Sequence, residues 1–199
     1  MPETFDELVK RIRACTLCQA HLPLGPRPVF QAHPKARILV VGQAPGTAVH
    51  ATGIPFNDPS GERLRNWMGI SRDTFYDPTQ IAIVPMGFCY PGRGKGGDLP
   101  PRPECAPAWR NLLLGHLDNI QLTIAVGRYA IDWHLKPTSG RTLGDIVAHW
   151  RSHWPQIVPL PHPSPRNILW LRKHPSVEAD ILPALRSQIR TLLSPACQS

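Results

Sequence analysis

The sequence predicts an α/β protein with a central four-stranded parallel sheet. Four short apolar runs carry the prediction: Arg37–Gly42, Ile81–Pro85, Leu122–Gly127 and Ile157–Leu160. They are mostly apolar rather than alternating, the pattern of strands buried on both faces. Helix-length segments separate them, as crossovers between parallel strands require. The first and third runs end in glycine, which permits a tight turn at a strand's carboxyl end.

Taken in order, residues 3–14 come first. Phe5, Leu8, Val9 and Ile12 fall on one face at helical spacing. Thr4 with Glu7 three residues on predicts a capping box. The Pro-rich segment from His21 to Ala36 reads as an extended, packed connection. Further helices are expected over Gly61–Met68, Cys105–Leu117, Arg128–His134, Thr142–His153 and Val177–Leu193. Trp67, Trp109, Trp133 and Trp150 fall on apolar helix faces and read as core. The RGKGGD stretch, Arg93–Asp98, reads as a flexible cationic loop, and the final residues as a loose tail holding Cys197 as a free thiol.

The chain has 199 residues, which fits one domain at the usual ~150 residues. Such a length buries roughly 70% of the unfolded chain's surface, so no disulfide scaffold is needed. Pro 24 and Gly 15 make up about a fifth of the residues, below the roughly 25–30% of low-complexity chains. They predict ordered loops. No apolar run approaches the ~18 residues of a membrane span, and the charged N-terminal segment does not read as a secretory signal. A soluble cytoplasmic protein of bacterial type is expected. In a reducing compartment its five cysteines read as metal ligands or free thiols. The formal net charge is +8, with seventeen of the 22 cations arginine. Arginine's planar fork matches phosphate, and this basic balance fits a nucleic-acid partner.

In open α/β sheets ligands bind beyond the carboxyl ends of the strands. There the most unusual sequence lies in two loops. The first is GQAPGTAVHATGIPFNDPSG, from Gly42 to Gly61. Gly42 and Gly46 allow close backbone approach to a ligand, and Pro45 stiffens the turn. Asp58 reads either as an N-cap for the following helix or as a carboxylate held at a cleft. The loop is neither GxGxxG nor GxxxxGK[ST], so dinucleotide and P-loop readings lose their support. The second loop, PHPSPRN at 161–167, places three prolines in five residues around His162 and Ser164. That backbone holds a histidine in place, with Arg166 on the same rim.

Together these loops resemble the two signature motifs of the uracil-DNA glycosylase superfamily. GQAPG (Gly42–Gly46) is similar to its first motif, and HPSPRN (His162–Asn167) to its second. Between them, G-x-PF-x-D-x-SG (Gly53–Gly61) resembles the segment carrying a base-stacking phenylalanine. The likeness runs in order over about residues 10–190. It implies a three-layer α/β/α sandwich, single over 1–199. It also implies hydrolysis of the bond between sugar and a flipped base, uracil or a related deaminated base, in double- or single-stranded DNA, by a monomer. His162 would donate to the leaving base, Gln43 and Ala44 would offer backbone N–H groups at the pocket floor beside Gly42, and Phe56 would stack on the base. Ser164, Pro165 and Arg166 would press the minor groove. No lysine stands in either motif, so no Schiff base and no strand cleavage are expected.

The nearest branches, families 4 and 5, carry a [4Fe–4S] cluster. The resemblance assigns Cys15, Cys18, Cys89 and Cys105 as its ligands, in a subregion formed by 15–18 and 89–105. From the residues alone, four thiolates fit zinc equally well. Cys89 sits in CYPG, a loose version of the family's element.

Two departures stand out. Motif one has no carboxylate, since Gln43 and Ala44 occupy the positions where relatives carry Glu or Asp. Asp58 is then the expected catalytic carboxylate. Pro85 stands where many relatives place a base-reading Asn, so Met86 and Gly87 are expected to contact the base through their backbone. These departures also leave room for a DNA-binding protein of this fold with little or no excision, or for a hydrolase of free nucleosides.

Overall fold

The computed structural model describes residues 3–136 and 138–194; Cys197 lies outside them. Helix α1 (Phe5–Arg13) begins at Thr4, whose side chain accepts from the Glu7 N–H while the Glu7 carboxylate accepts from the Thr4 N–H. The expected capping box is therefore formed, a contribution of about 1 kcal/mol. Leu8 and Ile12 are its buried residues. The Pro-rich connection then runs along the sheet edge and pairs once with it, Gln31 bridging Ile83.

The sheet comprises β1 (Ile38–Val41), β2 (Ile81–Ile83), β5 (Leu122–Val126) and β6 (Ile157–Leu160) in the order β2-β1-β5-β6. Every pair is parallel. Side chains alternate between two cores, because successive strand residues point to opposite faces. Ile38, Val40, Ile83, Ile124 and Leu160 pack with Leu64, Met68, Leu185 and Ile189. Those partners lie on α3 (Pro59–Met68) and α9 (Leu182–Leu193). On the other face Leu39, Val41, Val84 and Ala125 pack with Leu8, Leu113 and Ile131. These come from α1, α5 (Asn111–Leu114) and α6 (Arg128–His134). The result is the expected α/β/α sandwich.

Three expected helices are interrupted. Cys105–Leu117 is a π-helical turn, Ala106–Arg110, followed by α5. Val177–Leu193 is likewise a π-turn, Val177–Ile181, followed by α9. Pro183 lacks the N–H that a regular ladder needs there, whereas Pro107 sits in a first turn, where no ladder bond is made. Thr142–His153 divides into α7 (Leu143–Ala148), with its own capping box from Thr142 and Asp145, and a 3-10 turn, Trp150–His153. Three short helices went unforeseen: α2 (Thr47–Thr52), α4 (Arg72–Tyr76) and α8 (Ile168–Lys173).

The RGKGGD stretch is a hairpin rather than a loose loop. Strands β3 (Arg93–Gly94) and β4 (Gly97–Asp98) pair antiparallel, and Leu99 N–H donates to Gly92 O at 2.9 Å. Trp67 and Trp150 are buried as expected, whereas Trp109 and Trp133 are only partly buried beside their core. Among the described residues no helix is long and apolar enough to cross a membrane.

Candidate active site

Chain direction across the sheet reverses between β1 and β5, which makes their carboxyl ends the topological switch point. A pocket opens there. It is lined by Gly42, Gln43, Ala44, Pro45 and Gly46 after β1, by Pro85 after β2, by Phe56 and Asp58, and by His162 after β6. Six of the residues singled out from sequence thus converge: Gly42, Gln43, Ala44, Phe56, Asp58 and His162.

Asp58 has both of the characters read from sequence. It is the N-cap of α3, its Oδ1 accepting from Gly61 N–H at 2.8 Å. It also lines the pocket, and its charge reaches the His162 imidazole. The cap fixes the rotamer of a carboxylate whose Oδ2 has no hydrogen-bond partner among the described residues.

Phe56 is the only non-glycine with positive φ among the described residues, at 53°. That conformation costs about 1–3 kcal/mol and persists only where neighbours enforce it. Two glycines do so. A Cβ on Gly61 would meet Phe56 O at 1.7 Å, and a Cβ on Gly42 would meet the Phe56 ring at 3.0 Å. The ring therefore lies on the Gly42 backbone, with its edge toward Phe75 at 6.3 Å.

His162 is half-buried, and burial pushes its pKa below the ordinary 6.5, although Asp58 and then Asp98 favour its charged form. Ser164 N–H donates to His162 Nδ1 at 3.2 Å. That bond makes Nδ1 an acceptor, so the neutral ring carries its proton on Nε2. Asn167 Nδ2 donates to His162 O at 2.8 Å and Arg63 to Ser164 O at 3.2 Å, which anchors the loop from both sides.

Other expected residues are placed differently. The Gln43 side chain donates to Leu99 O at 2.9 Å and so ties motif one to the hairpin; its backbone N–H and that of Ala44 have no acceptor among the described residues. Met86 and Gly87 do not line the pocket. Their N–H groups donate to Gly42 O and Gln43 O, both at 2.9 Å, which corrects the expectation that these donors reach a base. Pro85 lines it in their place. Pro165 and Arg166 are exposed, and Arg166 donates to Gly96 O at 3.2 Å, a second tie to the hairpin. Arg65 donates to Tyr76 Oη at 3.4 Å, the exposed Arg72 lies over the Tyr76 ring, and Arg102 pairs with Glu104 at the surface.

Sequence reasoning missed three residues. Asp98, at the hairpin's end, brings a carboxylate to within 3.3 Å of the position of a Gly46 Cβ. Leu169 is 69% exposed on α8, beside the His162 loop; with α8 unforeseen, its exposure left no signal in the sequence. Arg110 is fully buried and had no sequence signal.

Cys15, Cys18, Cys89 and Cys105 line a second, mainly apolar cavity with Leu22, Pro26, Phe88 and Trp109. None forms a disulfide. Burial pushes the Cys89 thiol up to about 11 and Cys105 up to about 12, so they are no free nucleophiles. Trp109 Nε1 donates to Cys15 Sγ at 3.2 Å, and Phe88 N–H to Cys105 Sγ at 3.3 Å. Such N–H donors stabilise ligated thiolates. Among the described residues no three His, Cys, Asp or Glu side chains gather around a single ion position. Four cysteine sulfurs around one cavity, two of them accepting N–H donors, are a thiolate donor set of the kind that holds zinc or an iron–sulfur group.

A parallel α/β sheet with a glycine-lined pocket at its switch point, faced by a carboxylate and an imidazole, places this chain in the class of open α/β proteins with a ligand pocket beyond the strands' carboxyl ends. The family model described as "Uracil DNA glycosylase superfamily" matches residues 29–186. The chain belongs to the uracil-DNA glycosylase superfamily. It is similar to the Type-4 uracil-DNA glycosylase of Thermotoga maritima, 27% identical over 136 residues, 66% of each chain. It is also similar to the Type-4 uracil-DNA glycosylase of Archaeoglobus fulgidus, 26% identical over 133 residues, 64% of this chain and 62% of that one. The match thus spans somewhat under two thirds of these curated relatives.

Proposed function

We propose that this protein is a monofunctional DNA glycosylase, folded as one domain, that removes uracil or a related deaminated base from DNA as a monomer. The observation that carries the reading is the meeting of Asp58 and His162 across the Phe56–Gly42 pocket. The base would be flipped from the helix, since its glycosidic bond is out of reach in a duplex. Phe56 would stack on it, held in place by Gly42 and Gly61. The N–H groups of Gln43 and Ala44 would face its edge.

As the bond between base and C1′ breaks, its electron pair leaves with the base. His162 Nε2–H donates to the developing oxyanion, and a neutral donor suffices because it is preorganised in a water-poor site. Asp58 faces the cationic sugar and orients a water. The water's oxygen bonds to C1′, its proton passes to the carboxylate, and the base anion is protonated from solvent. Pro85 has no N–H and no amide, so base selection on that wall rests on shape.

The duplex would be held by exposed cations about the mouth: Arg93 and Lys95 on the hairpin, Arg166 after His162, and Arg172 and Lys173 on α8. Ser164, Pro165 and Arg166 would sit in the minor groove, with Leu169 as the apolar wedge that fills the vacated space. A [4Fe–4S] cluster held by Cys15, Cys18, Cys89 and Cys105 would supply four thiolate–iron bonds that pin the turn after α1 to the 89–105 segment.

The test is excision from an oligonucleotide with one uracil, single-stranded or opposite guanine or adenine, followed by alkali. Cleavage at that position supports the reading. Salt-sensitive DNA binding without product from uracil, hypoxanthine or xanthine overturns it. That result favours the alternative that the missing motif-one carboxylate and Pro85 raise, a DNA-binding protein of the same fold.

A further inference from the structure

Arg110 is the largest fully buried side chain among the described residues. It ends the π-turn Ala106–Arg110, whose N-cap is Cys105, a lining residue of the cysteine cavity. Its guanidinium donates to Val84 O and, at 2.8 Å, to Pro85 O. A further N–H reaches His134 Nε2 at 3.0 Å, and the Trp133 ring lies 5.7 Å away. All four partners are neutral. Its Nε has no partner, and among the described residues no carboxylate is within salt-bridge distance of it.

A cation removed from water with no counter-charge is strongly unfavourable. Burial lowers the Arg110 pKa only to about 10, so the charge persists at neutral pH. Cys105, the N-cap of the same π-turn, is the ionisable group whose charge would favour that of Arg110. A thiol is neutral when protonated, but a metal-bound cysteine is a thiolate. Four thiolates about one group would place the missing negative charge next to Arg110.

We propose that Arg110 is the buried counter-cation of the group held by the four cysteines, and a positioning residue that ties the pocket wall at Pro85 to that group. The proposal rests on the cofactor reading given above. It explains why an arginine is buried among neutral acceptors. It also gives the cysteine cavity a physical route to the base pocket. The charge that Arg110 balances on one side fixes, through the same guanidinium, the carbonyls of Val84 and Pro85 on the other.

The test compares wild type with Arg110→Met and Arg110→Lys, purified without oxygen, by iron and sulfide content, iron release to a chelator, and Tm before and after chelation. Arg110→Met is expected to release iron roughly ten- to a hundred-fold faster, the usual effect of losing an outer partner of a metal site. Its loaded form should fall further below loaded wild type than its chelated form falls below chelated wild type, since both lose the hydrogen bonds but only the loaded form loses a counter-charge. A merely structural arginine would lower both equally. Arg110→Lys keeps the charge and should release iron close to the wild-type rate. Should Arg110→Met fail to fold, fast release from Arg110→Lys overturns the proposal. Unchanged release from Arg110→Met, or an equal fall in both Tm values, also overturns it while leaving the cofactor reading intact. Wild type that holds neither iron nor sulfide removes the cofactor reading and the proposal together.

Discussion

At the scale of single residues the pocket turns on side chains that hold two positions at once. Asp58 caps α3 with one oxygen and faces His162 across the pocket. Asn caps a helix as well as Asp does. Asp58→Asn is therefore expected to leave Tm nearly unchanged while excision falls by roughly a hundred-fold or more; equal excision by the two proteins would remove Asp58 from the proposed chemistry. Gly42→Ala places a methyl 3.0 Å from the Phe56 ring. Its expected effect is weaker substrate binding, read as a higher KM, with little change in stability. For His162 the Ser164 N–H needs an unprotonated Nδ1, and burial lowers the ring's pKa below 6.5. Activity is expected to be level through neutral pH and to decline only on the acid side of 6.5, as protonation breaks that bond. An acid limb centred above 6.5 in the pH profile of kcat/KM would contradict this role.

At the scale of elements, the β3–β4 hairpin and the residue after it are tied to both pocket loops. Gln43 ties it to motif one and Arg166 ties it to the motif-two loop. The sequence RGKGGD carries glycine and charge, and its local signal is that of a free loop; only the two distant partners make it a strap. Gln43→Ala with Arg166→Ala is expected to raise hydrogen exchange at Leu99 N–H and to raise KM for DNA more than it lowers kcat. Helix α8 carries Leu169 outward at 69% exposure. Leu169→Ala should slow excision from duplex DNA several-fold and leave single-stranded substrate nearly untouched, because only a duplex has a gap to fill. The strands, by contrast, were legible to within a residue or two. Ile38–Val41 and Leu122–Val126 are apolar on both faces, and no other element fits such a run. The π-turns were not legible, because a local change in the hydrogen-bond ladder leaves the hydrophobic spacing nearly unaltered.

At the scale of the molecule, the balance of charge and of buried histidines sets its response to solution conditions. With a net charge of +8, DNA binding is expected to weaken steeply with salt, in proportion to the phosphates neutralised. Stability should depend on pH in a defined window. Burial, and then the Arg110 charge, push the His134 pKa down to about 4 from the ordinary 6.5. Between those values the unfolded chain binds more protons than the folded one, so stability rises with pH. It is fully present above 6.5 and is lost as pH falls toward about 4. His162 acts in the same direction. Tm measured from neutral pH downward should fall across this window, and His134→Gln should flatten part of the fall. A Tm independent of pH there would show that His134 is not held neutral.

What the sequence determined by itself is the sheet, the α1 cap and the two motif loops. Each is written in residues close together along the chain, where periodicity, proline and glycine act directly on the backbone. It also named most of the pocket, because Gly42, Phe56, Asp58 and His162 lie within those loops. The tertiary structure alone decided which atoms are free to act. It engaged the Met86 and Gly87 N–H groups with motif one, turned Gln43 toward the hairpin, brought Asp98 near Gly46 and buried Arg110 against the Val84 and Pro85 carbonyls. Those outcomes depend on partners tens of residues away, and hydrogen-bond pairing across such distances leaves no periodic trace in the chain.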